Sequence, residues 1–334
     1  MLDQRTMLAM LRAAAEPTRL RVLALLTRGE LSVKDLTRIL NQSQPRISRH
    51  LKLLTEAGLV ERVRDGSWAY FQLVDGGARG SLLRAVLDAA DPNDPVLLRD
   101  RGRADTVKRE REEAAQDYFR ANAAEWDRIR SLRVTESEVE SALSNAIGPG
   151  PFHLLVDLGT GTGRVIELLR GRYERAVGFD INHTMLAYAR SRIEALGNAS
   201  ATVRHGDLYD VALDDGAADA IVMHRVLHFL TEPAQAIREA ARILAPGGRL
   251  VIVDFAPHTL EILRETFAHE RLGFSRPQMA QWLADAGLDH EATEDLVPAD
   301  VSDGNKLTVT VWTATRPVNG RSRRIAPRLS KLEA

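Results

Sequence analysis

A glycine-rich stretch, Val156-Asp-Leu-Gly-Thr-Gly-Thr-Gly163, places the carboxylate of Asp157 and the hydroxyl of Thr160 beside Gly159, Gly161 and Gly163. Glycine allows a sharp backbone turn and a close approach of a ligand, so this stretch predicts a binding turn between a strand and a helix. Dinucleotide sites use a related glycine pattern, so the turn alone does not identify the ligand.

Two further carboxylates narrow the choice of ligand. Asp180 ends the next strand-like run and is placed to accept hydrogen bonds from both hydroxyls of a ribose, whereas Asp207 ends the third and can accept from an adenine amino group. Each acid alone is equally well explained as a helix cap or a surface turn. Together with Asp157 they follow successive strands, at the edge where open α/β sheets bind ligands, and this favours a shared adenosine site.

The remaining residues predicted to contact the adenosine are mostly apolar. Ile181, Met185 and Leu208 are expected to flank the adenine, and His224 follows a later strand.

Four histidines lie beyond the predicted strand ends, where a second substrate would sit: His224, His228, His258 and His269. Each is a weak candidate for a general base. His224 and His228 share a face if their stretch is helical, and such a pair can hold zinc. No third ligand is apparent, so we predict no metal site, and a structural role is the alternative for at least two of the four.

A second set of polar and basic side chains, near the N terminus, is suited to DNA. Glutamine and arginine can form bidentate hydrogen bonds with adenine and guanine edges. The spacing of Ile47, Leu51 and Leu54 predicts a helix with a buried face that leaves Gln44, Arg46, Arg49 and His50 outward. The predicted DNA contacts are Ser43, Gln44, Arg46, Ser48, Arg49, His50, Arg62 and Arg64. Such a charge run can also be merely a solvated face, but here it follows a capped helix and a polar turn.

The elements that position these groups predict a multidomain chain. Residues 1–93 read as short helices and a hairpin at Asp65-Gly66, an α+β winged helix-turn-helix. Residues 94–113 are mostly charged and predict a solvated linker helix, and residues 114–315 alternate strands and helices around a mostly parallel sheet, an α/β Rossmann-like domain. Residues 316–334 are basic and expected to be disordered.

Composition excludes several classes of protein. The 334 residues carry a net charge of −1 and no cysteine, so a polycation, a disulfide framework and thiolate metal sites are excluded. The chain lacks a run of about 18 apolar residues and a signal-peptide pattern at its start. We therefore expect a cytoplasmic protein without a membrane partner.

The N-terminal motifs resemble the arsenical-repressor (ArsR/SmtB) family of bacterial regulators over about residues 8–90. The residues that carry the resemblance are Glu16-Pro-Thr-Arg-Leu-Arg21, Ser43-Gln-Pro-Arg-Ile-Ser-Arg-His-Leu51 and 58–73. The resemblance implies a homodimer, formed by the segments 7–14 and 81–90, on a near-palindromic double-stranded operator. Metal sensing is not carried over, because Glu30-Leu-Ser-Val-Lys-Asp35 stands where many members have cysteines, and a hydroxyl and an ammonium are not soft ligands.

The C-terminal motifs resemble class I methyltransferases that use S-adenosylmethionine (SAM), of the ubiquinone/menaquinone-biosynthesis type, over about residues 114–314. The motifs are Tyr118-Phe-Arg-Ala-Asn-Ala-Ala-Glu-Trp-Asp127, 157–163, His224-Arg-Val-Leu-His228 and Ala245-Pro-Gly-Gly248. The resemblance implies a seven-stranded sheet with one antiparallel strand, Lys306–Ala314. It also implies that Tyr118 and Trp126 cover the cofactor, although plain core packing explains both residues.

Two hypotheses of different class follow from this pairing. In the first, the chain is a transcriptional regulator, and SAM or S-adenosylhomocysteine (SAH) is its effector. In the second, it methylates a small molecule, and the DNA-reading part tethers or autoregulates it. Arsenic methylation is disfavoured because that chemistry needs cysteine thiolates.

Overall fold

The chain was analysed as a computed structural model, which describes residues 1–65, 68–74, 77–123, 136–197, 200–297 and 307–318. The structure divides into two compact units, and neither is a single stretch of sequence. The first unit comprises Met1–Asn122, His228–Pro233 and Pro257–Gly273; the second comprises Ala123–Leu227, Ala234–Ala256 and Phe274–Ala334.

The first unit opens with short helices and a small sheet. Its N-terminal elements are α1 (Gln4–Ala14), α2 (Pro17–Leu26), β1 (Leu31–Ser32), α3 (Val33–Leu40), α4 (Gln44–Glu56), β2 (Val60–Asp65), β3 (Trp68–Leu73), α5 (Gly77–Asp88) and α6 (Pro95–Asn122). Strand β3 lies between β1 and β2 and is antiparallel to both. The order of α3, α4 and the β2–β3 hairpin is that of the predicted winged helix-turn-helix; Gly66, at the predicted tip, lies outside the described residues.

Local sequence explains how α3 and α4 begin and end. Ser32 and Asp35 form a reciprocal capping box at the start of α3, and Asn41 ends that helix in the left-handed conformation with φ 51°. Pro45 lies in the first turn of α4, where its missing N–H costs no helical hydrogen bond. The turn between the two helices is therefore set by capping residues rather than by packing alone.

Adjacent leucines on α4 provide a test of this packing. Leu54 is 0% exposed in the core, whereas Leu53 is 39% exposed. We expect Leu54→Ala to lower the free energy of unfolding of the first unit by about 2–5 kcal/mol, because it removes buried methyl groups and leaves a cavity. We expect Leu53→Ala to cost less than about 1 kcal/mol. Native-state hydrogen exchange of the α4 amides measures both, and equal losses would contradict this burial.

Helix α6 contains the charged stretch that predicted a solvated linker, yet part of it is packed into the first unit. Val107 lies in the hydrophobic core and Asp100 is 1% exposed. Arg21 on α2 donates from Nη2 to Asp100 Oδ1 at 2.8 Å, and Arg28 Nη1 lies 2.8 Å from Asp105 Oδ1. The charges of α6 are thus partly matched by opposite charges on α2 and just after it, a pairing that periodicity does not reveal.

The remaining elements form the central sheet and its helices. They are α7 (Glu136–Ile147), β4 (Phe152–Leu158), α8 (Arg164–Leu168), β5 (Tyr173–Asp180), α9 (His183–Ala195), β6 (Ala201–His205), β7 (Ala218–His224), α10 (Pro233–Ile243), β8 (Leu244–Phe255), α11 (Ile262–Phe267), α12 (Arg276–Asp285), β9 (Asp289–Leu296) and β10 (Val309–Thr315). A 3₁₀ turn spans Leu227–Phe229, and α11 belongs to the first unit.

The sheet has seven strands in the order β6-β5-β4-β7-β8-β10-β9. Strands β4 to β8 pair in parallel, and β10 is antiparallel to both β8 and β9. This arrangement confirms the predicted α/β class and its single antiparallel strand, which begins at Val309 rather than at the predicted Lys306. Among the described residues, none of the helices combines the length and the apolar character needed to cross a bilayer.

Strand β9 was not predicted. Its sequence, Asp-His-Glu-Ala-Thr-Glu-Asp-Leu, lacks the alternation of apolar and polar residues, and most of its side chains are exposed. It forms because β10 offers its free edge: the two strands pair along their length, and Thr310 Oγ1 donates to Asp295 Oδ1 at 2.8 Å. Such tertiary pairing is invisible to local pattern analysis.

Candidate functional sites

The glycine-rich turn follows β4 in the second unit, and its Gly159 and Thr160 N–H groups both donate to the Phe179 carbonyl near the end of the adjacent strand β5, at 2.9 Å. Asp157, near the end of β4, is 1% exposed and accepts a hydrogen bond from Thr160 Oγ1 to its Oδ2 at 2.6 Å. Gly161 N donates to Asp180 Oδ2, at the end of β5, at 2.9 Å. The turn therefore holds both carboxylates at one edge of the sheet, as their positions at successive strand ends predicted.

Two glycines of this region are required by close packing. Gly159 has φ +79°, and a Cβ there would lie 2.3 Å from Cγ2 of Val226. A Cβ at Gly178 would lie 2.5 Å from Oγ1 of Thr160. Both distances are far below van der Waals contact, so a side chain at either position would displace the turn. Gly161 and Gly163 also have positive φ, 51° and 81°.

Asp180 accepts two backbone hydrogen bonds in a partly exposed position. Besides the bond from Gly161, Asn182 N donates to its Oδ1 at 2.8 Å. Burial raises the pKa of the Asp180 carboxyl above its ordinary value, although these two N–H groups and nearby His205 oppose the shift. Each oxygen has a second lone pair, so the carboxylate can still accept from two ligand hydroxyls.

The residues around Asp180 offer flat and apolar surface. Ile181 is 44% exposed, which is unusual for isoleucine. The rings of His183 and His205 stack with centroids 4.3 Å apart. Met185 and Leu208, which we expected beside the adenine, are 3% and 7% exposed and pack largely into the core.

The third predicted acid, Asp207, follows β6 and is exposed. Its Oδ1 accepts from Tyr209 N at 2.9 Å, which shapes a turn. Strands β6, β5 and β4 are neighbours in the sheet and run parallel, so Asp207, Asp180 and Asp157 belong to the same edge.

The four histidines are divided between the units, with His224 in the second and His228, His258 and His269 in the first. His224 ends β7, 8% exposed, and His228 lies in the 3₁₀ turn of the first unit, 2% exposed. The two do not share a helical face because the stretch between them is not helical. His228 instead packs on His269, with ring centroids 4.2 Å apart, and His258 Nδ1 accepts from Leu260 N at 3.3 Å. Within the described part of the chain, no group of three potential ligands is arranged for a metal ion.

The predicted DNA-reading side chains lie mostly on the open face of α4. Ser43, Gln44, Arg46, Ser48 and Arg49 are exposed, and so is Arg62 on β2. The side chain of Arg64 lies outside what the structure describes.

His50 differs from the expectation that it points outward. Its side chain is 12% exposed, and its Nδ1 lies 3.5 Å from Oε2 of Glu16. At 100° per residue, position 50 falls beside positions 47 and 54 of the buried face, so it lies at the margin of that face. Burial lowers the pKa of His50. The charge of Glu16 opposes this shift, and the charges of Arg46 and Arg49 add to it.

Helix α1 presents an apolar stripe to solvent. Met7, Leu8 and Leu11 are each 39% exposed, at a spacing that puts them on one side of the helix. Contiguous exposed apolar residues mark interaction surfaces, whereas single exposed apolar residues are common on any protein surface.

Two family profiles match the chain. Residues 16–62 match the arsR family of bacterial regulatory proteins, and residues 156–252 match a methyltransferase domain. The chain therefore combines an arsR-type DNA-binding domain with a methyltransferase domain, as both resemblances predicted.

Several curated relatives resemble part of the chain. An uncharacterized 37.1 kDa protein of transposon TN4556 from Streptomyces fradiae is 33% identical over 45% of this chain and 47% of its own length. The demethylmenaquinone methyltransferase of Thermus thermophilus is 37% identical over 38% of this chain and 56% of its own. The ubiquinone/menaquinone biosynthesis C-methyltransferase UbiE of Caulobacter sp. is 30% identical over 47% of this chain and 64% of its own length.

A solved methyltransferase from Haloferax volcanii, in complex with the Trm112 activator, shares the fold with a TM-score of 0.51 at 20% identity, over 60% of this chain and 97% of its own. The chain spans between about half and two thirds of the length of the curated relatives.

Proposed function

We propose that the chain is a DNA-binding transcriptional regulator whose methyltransferase domain binds SAM or SAH as its effector. The observation that carries this proposal is the convergence of Asp157 and Asp180 on the turn at Gly159–Gly163, beside exposed Ile181. This is the set of groups that a nucleoside without a pyrophosphate needs: acceptors for the ribose and apolar surface for the base. The match of residues 16–62 to the arsR family supports double-stranded DNA as the partner.

The proposed ligand contacts combine that geometry with the positions expected from the sequence. Asp180 accepts from the ribose hydroxyls, the backbone of the turn lies along the amino-acid portion, and Asp207 accepts from the adenine amino group. The complete proposed set is Asp157, Gly159, Thr160, Gly161, Gly163, Asp180, Ile181, Met185, Asp207, Leu208 and His224. We retain the cytoplasm as the proposed compartment.

A second candidate function is catalysis of methyl transfer to a small molecule, and the match to a methyltransferase domain favours it. In this reaction the acceptor forms a bond to the methyl carbon, and the bond from carbon to the sulfonium breaks to leave SAH. SAM supplies the activated methyl group, so the protein can act largely through proximity and alignment. A base is needed only if the acceptor must lose a proton, and the candidate within the second unit is buried His224, which ends β7 two residues before Val226, the residue beside Gly159 of the turn.

The proposal is tested with the full-length protein. Calorimetry with SAM and with SAH measures binding, and a duplex selected by the protein from a random library measures DNA affinity with and without each nucleoside. We expect at least one nucleoside to bind and to change DNA affinity by about 5–150-fold. Unchanged DNA affinity at saturation would reject the effector role, and labelled product from methyl-labelled SAM in cell extract would support catalysis.

The pKa of Asp180 gives the proposed site a pH dependence. Only the ionised carboxylate accepts from two hydroxyls, and its raised pKa means that protonation begins at a higher pH than for an ordinary aspartate. We therefore expect SAH affinity to fall on acidification at a higher pH than for a carboxyl that titrates near its usual value of about 3.9. Calorimetry at a series of pH values measures the fall, and Asp180→Asn, which has no carboxyl to titrate, should lack that component. Parallel curves for the two proteins would contradict the assignment.

The stripe on α1 predicts a homodimer. A charge placed in an apolar interface is left desolvated and unpaired, so we expect Leu11→Glu to shift the protein from dimer to monomer and to weaken DNA binding by at least about tenfold. Leu98→Glu, at a leucine that is 48% exposed on α6, is the matched control and should leave the dimer intact. Sedimentation equilibrium distinguishes the two; a wild-type monomer would refute the dimer.

A further inference from the structure

Two segments that follow strands of the large sheet belong to the DNA-binding unit. His228–Pro233 starts four residues after His224 ends β7, and Pro257–Gly273 starts two residues after Phe255 ends β8. The carboxyl ends of parallel strands are where open α/β sheets bind ligands. A short stretch of chain therefore leads from the ligand-binding edge of the sheet into the unit that carries α4.

Arg271 fixes the second of these segments to the N-terminal elements. Its side chain is 4% exposed, and its Nη1 lies 2.6 Å from Oε2 of Glu30, the residue before β1. Its guanidinium carbon lies 3.9 Å from the centroid of the Tyr70 ring on β3, and its Nη2 donates to the Thr231 carbonyl at 3.1 Å. One arginine thus contacts a residue before β1, a residue on β3 and the segment that follows β7.

Hydrogen bonds reinforce this arrangement. Tyr70 Oη donates toward Glu270, 3.2 Å from its Oε1, and the backbone N–H groups of Glu270 and Arg271 both donate to the His228 carbonyl, at 2.9 and 3.0 Å. Tyr70 faces Ser32 of β1 and Val63 of β2 in the small sheet. Segments 228–233 and 257–273 are consequently bound to each other and to β3, the central strand of the small sheet.

We propose that segment 257–273, held by Arg271 on Glu30 and Tyr70, transmits the occupancy of the nucleoside site to the β1–β3–β2 sheet of the DNA-binding unit. This inference rests on the proposed effector function and adds its physical route. A buried guanidinium cannot leave its carboxylate without another partner, so the segment and the small sheet respond together when the chain beyond β7 and β8 shifts. A ligand that favours one arrangement of these segments thereby favours one arrangement of the β1–β3–β2 sheet.

Two substitutions weaken this connection to different degrees. Tyr70→Phe keeps the ring under the guanidinium and removes only the hydroxyl that donates to Glu270. Arg271→Met removes the ion pair with Glu30 and keeps an unbranched apolar stem. Arg276→Met is the matched control, because Arg276 is an exposed arginine of the second unit that pairs with Asp295 at 2.7 Å.

The measured quantity is the ratio of DNA affinities with and without saturating SAH, for the full-length protein and the selected duplex. We expect a ratio of about 5-fold or more in the wild type and in Arg276→Met. We expect the ratio to fall at least threefold in Tyr70→Phe and to approach 1 in Arg271→Met, while calorimetry shows SAH affinity within about threefold of wild type. Hydrogen exchange of the β3 amides should respond to SAH in the wild type and much less in Tyr70→Phe.

The outcomes separate the two proposals. If the wild type binds SAH but shows no change in DNA affinity, the effector function and the transmission route both fail. If the wild type responds and Tyr70→Phe and Arg271→Met respond equally, only the route is overturned. If Arg271→Met does not fold, Tyr70→Phe decides, and an undiminished ratio in that variant rejects the route.

Discussion

Asp180→Ala should remove most of the affinity for SAH, with an expected rise in Kd of roughly 10²–10⁴-fold, or about 3–6 kcal/mol for two hydrogen bonds to a charged acceptor. The carboxylate stands at the end of β5, where Oδ2 accepts from Gly161 of the turn and Oδ1 accepts from Asn182, the N-cap residue of α9. The substitution thus removes the ribose acceptor and loosens the turn that approaches the ligand. Calorimetry with the full-length protein measures the effect.

Two further variants separate these causes. Asp180→Asn keeps one acceptor and much of the shape, and should lose less affinity than alanine. Asp289→Ala, at an exposed carboxylate on β9, is the matched control and should leave SAH affinity within about twofold. An Asp180→Ala protein that melts normally and binds SAH within tenfold of wild type would refute the role of this residue.

The double substitution Arg46→Ala/Arg49→Ala should weaken binding to the selected duplex by roughly 10²-fold or more. Both side chains are exposed on α4, and a bidentate contact to a base edge is worth about 1–3 kcal/mol. If the two arginines read bases, discrimination between the selected and a scrambled duplex should fall with the affinity. If they contact only phosphates, both duplexes should weaken alike, and the salt dependence should become shallower.

Arginine removal elsewhere provides the control for this experiment. Arg190 is exposed on α9 of the second unit. Arg190→Ala therefore removes one positive charge, as each α4 substitution does, and leaves α4 unchanged. Fluorescence anisotropy at fixed salt should show its DNA affinity within about twofold of wild type. Equal losses for the α4 and the α9 substitutions would mean that charge alone, rather than the helix, determines binding.

The parts of the fold that depend on local sequence were predictable. Strand ends and the turn between them are determined by neighbouring residues, so the positions of Asp157 and Asp180 at one edge followed from the spacing of the strands. The buried face of α4 likewise followed from helical periodicity. His50 was placed incorrectly because an angular estimate at the margin of that face does not include Glu16, which draws the imidazole inward.

Long-range features were not predictable from the pattern. Strand β9 depends on the edge of β10, and the burial of Asp100 depends on Arg21, a residue far from it in sequence. The contacts of Arg271 are not predictable either, because nothing near it in sequence suggests a salt bridge with Glu30. The site residues and the domain limits at 93, 113 and 315 stay predictions, although α6 runs without interruption from Pro95 to Asn122.

The interleaved composition of the first unit has a consequence for biosynthesis. A ribosome delivers the chain from its N terminus, and domains generally fold in that order. Here the first unit lacks its last segment until Gly273 has left the ribosome. Glu30 and Tyr70 therefore cannot contact Arg271 until β4 to β8 have been synthesised. The first unit therefore reaches its native structure only after β4 to β8 have been made, and a polypeptide truncated within the sheet would lack a complete first unit.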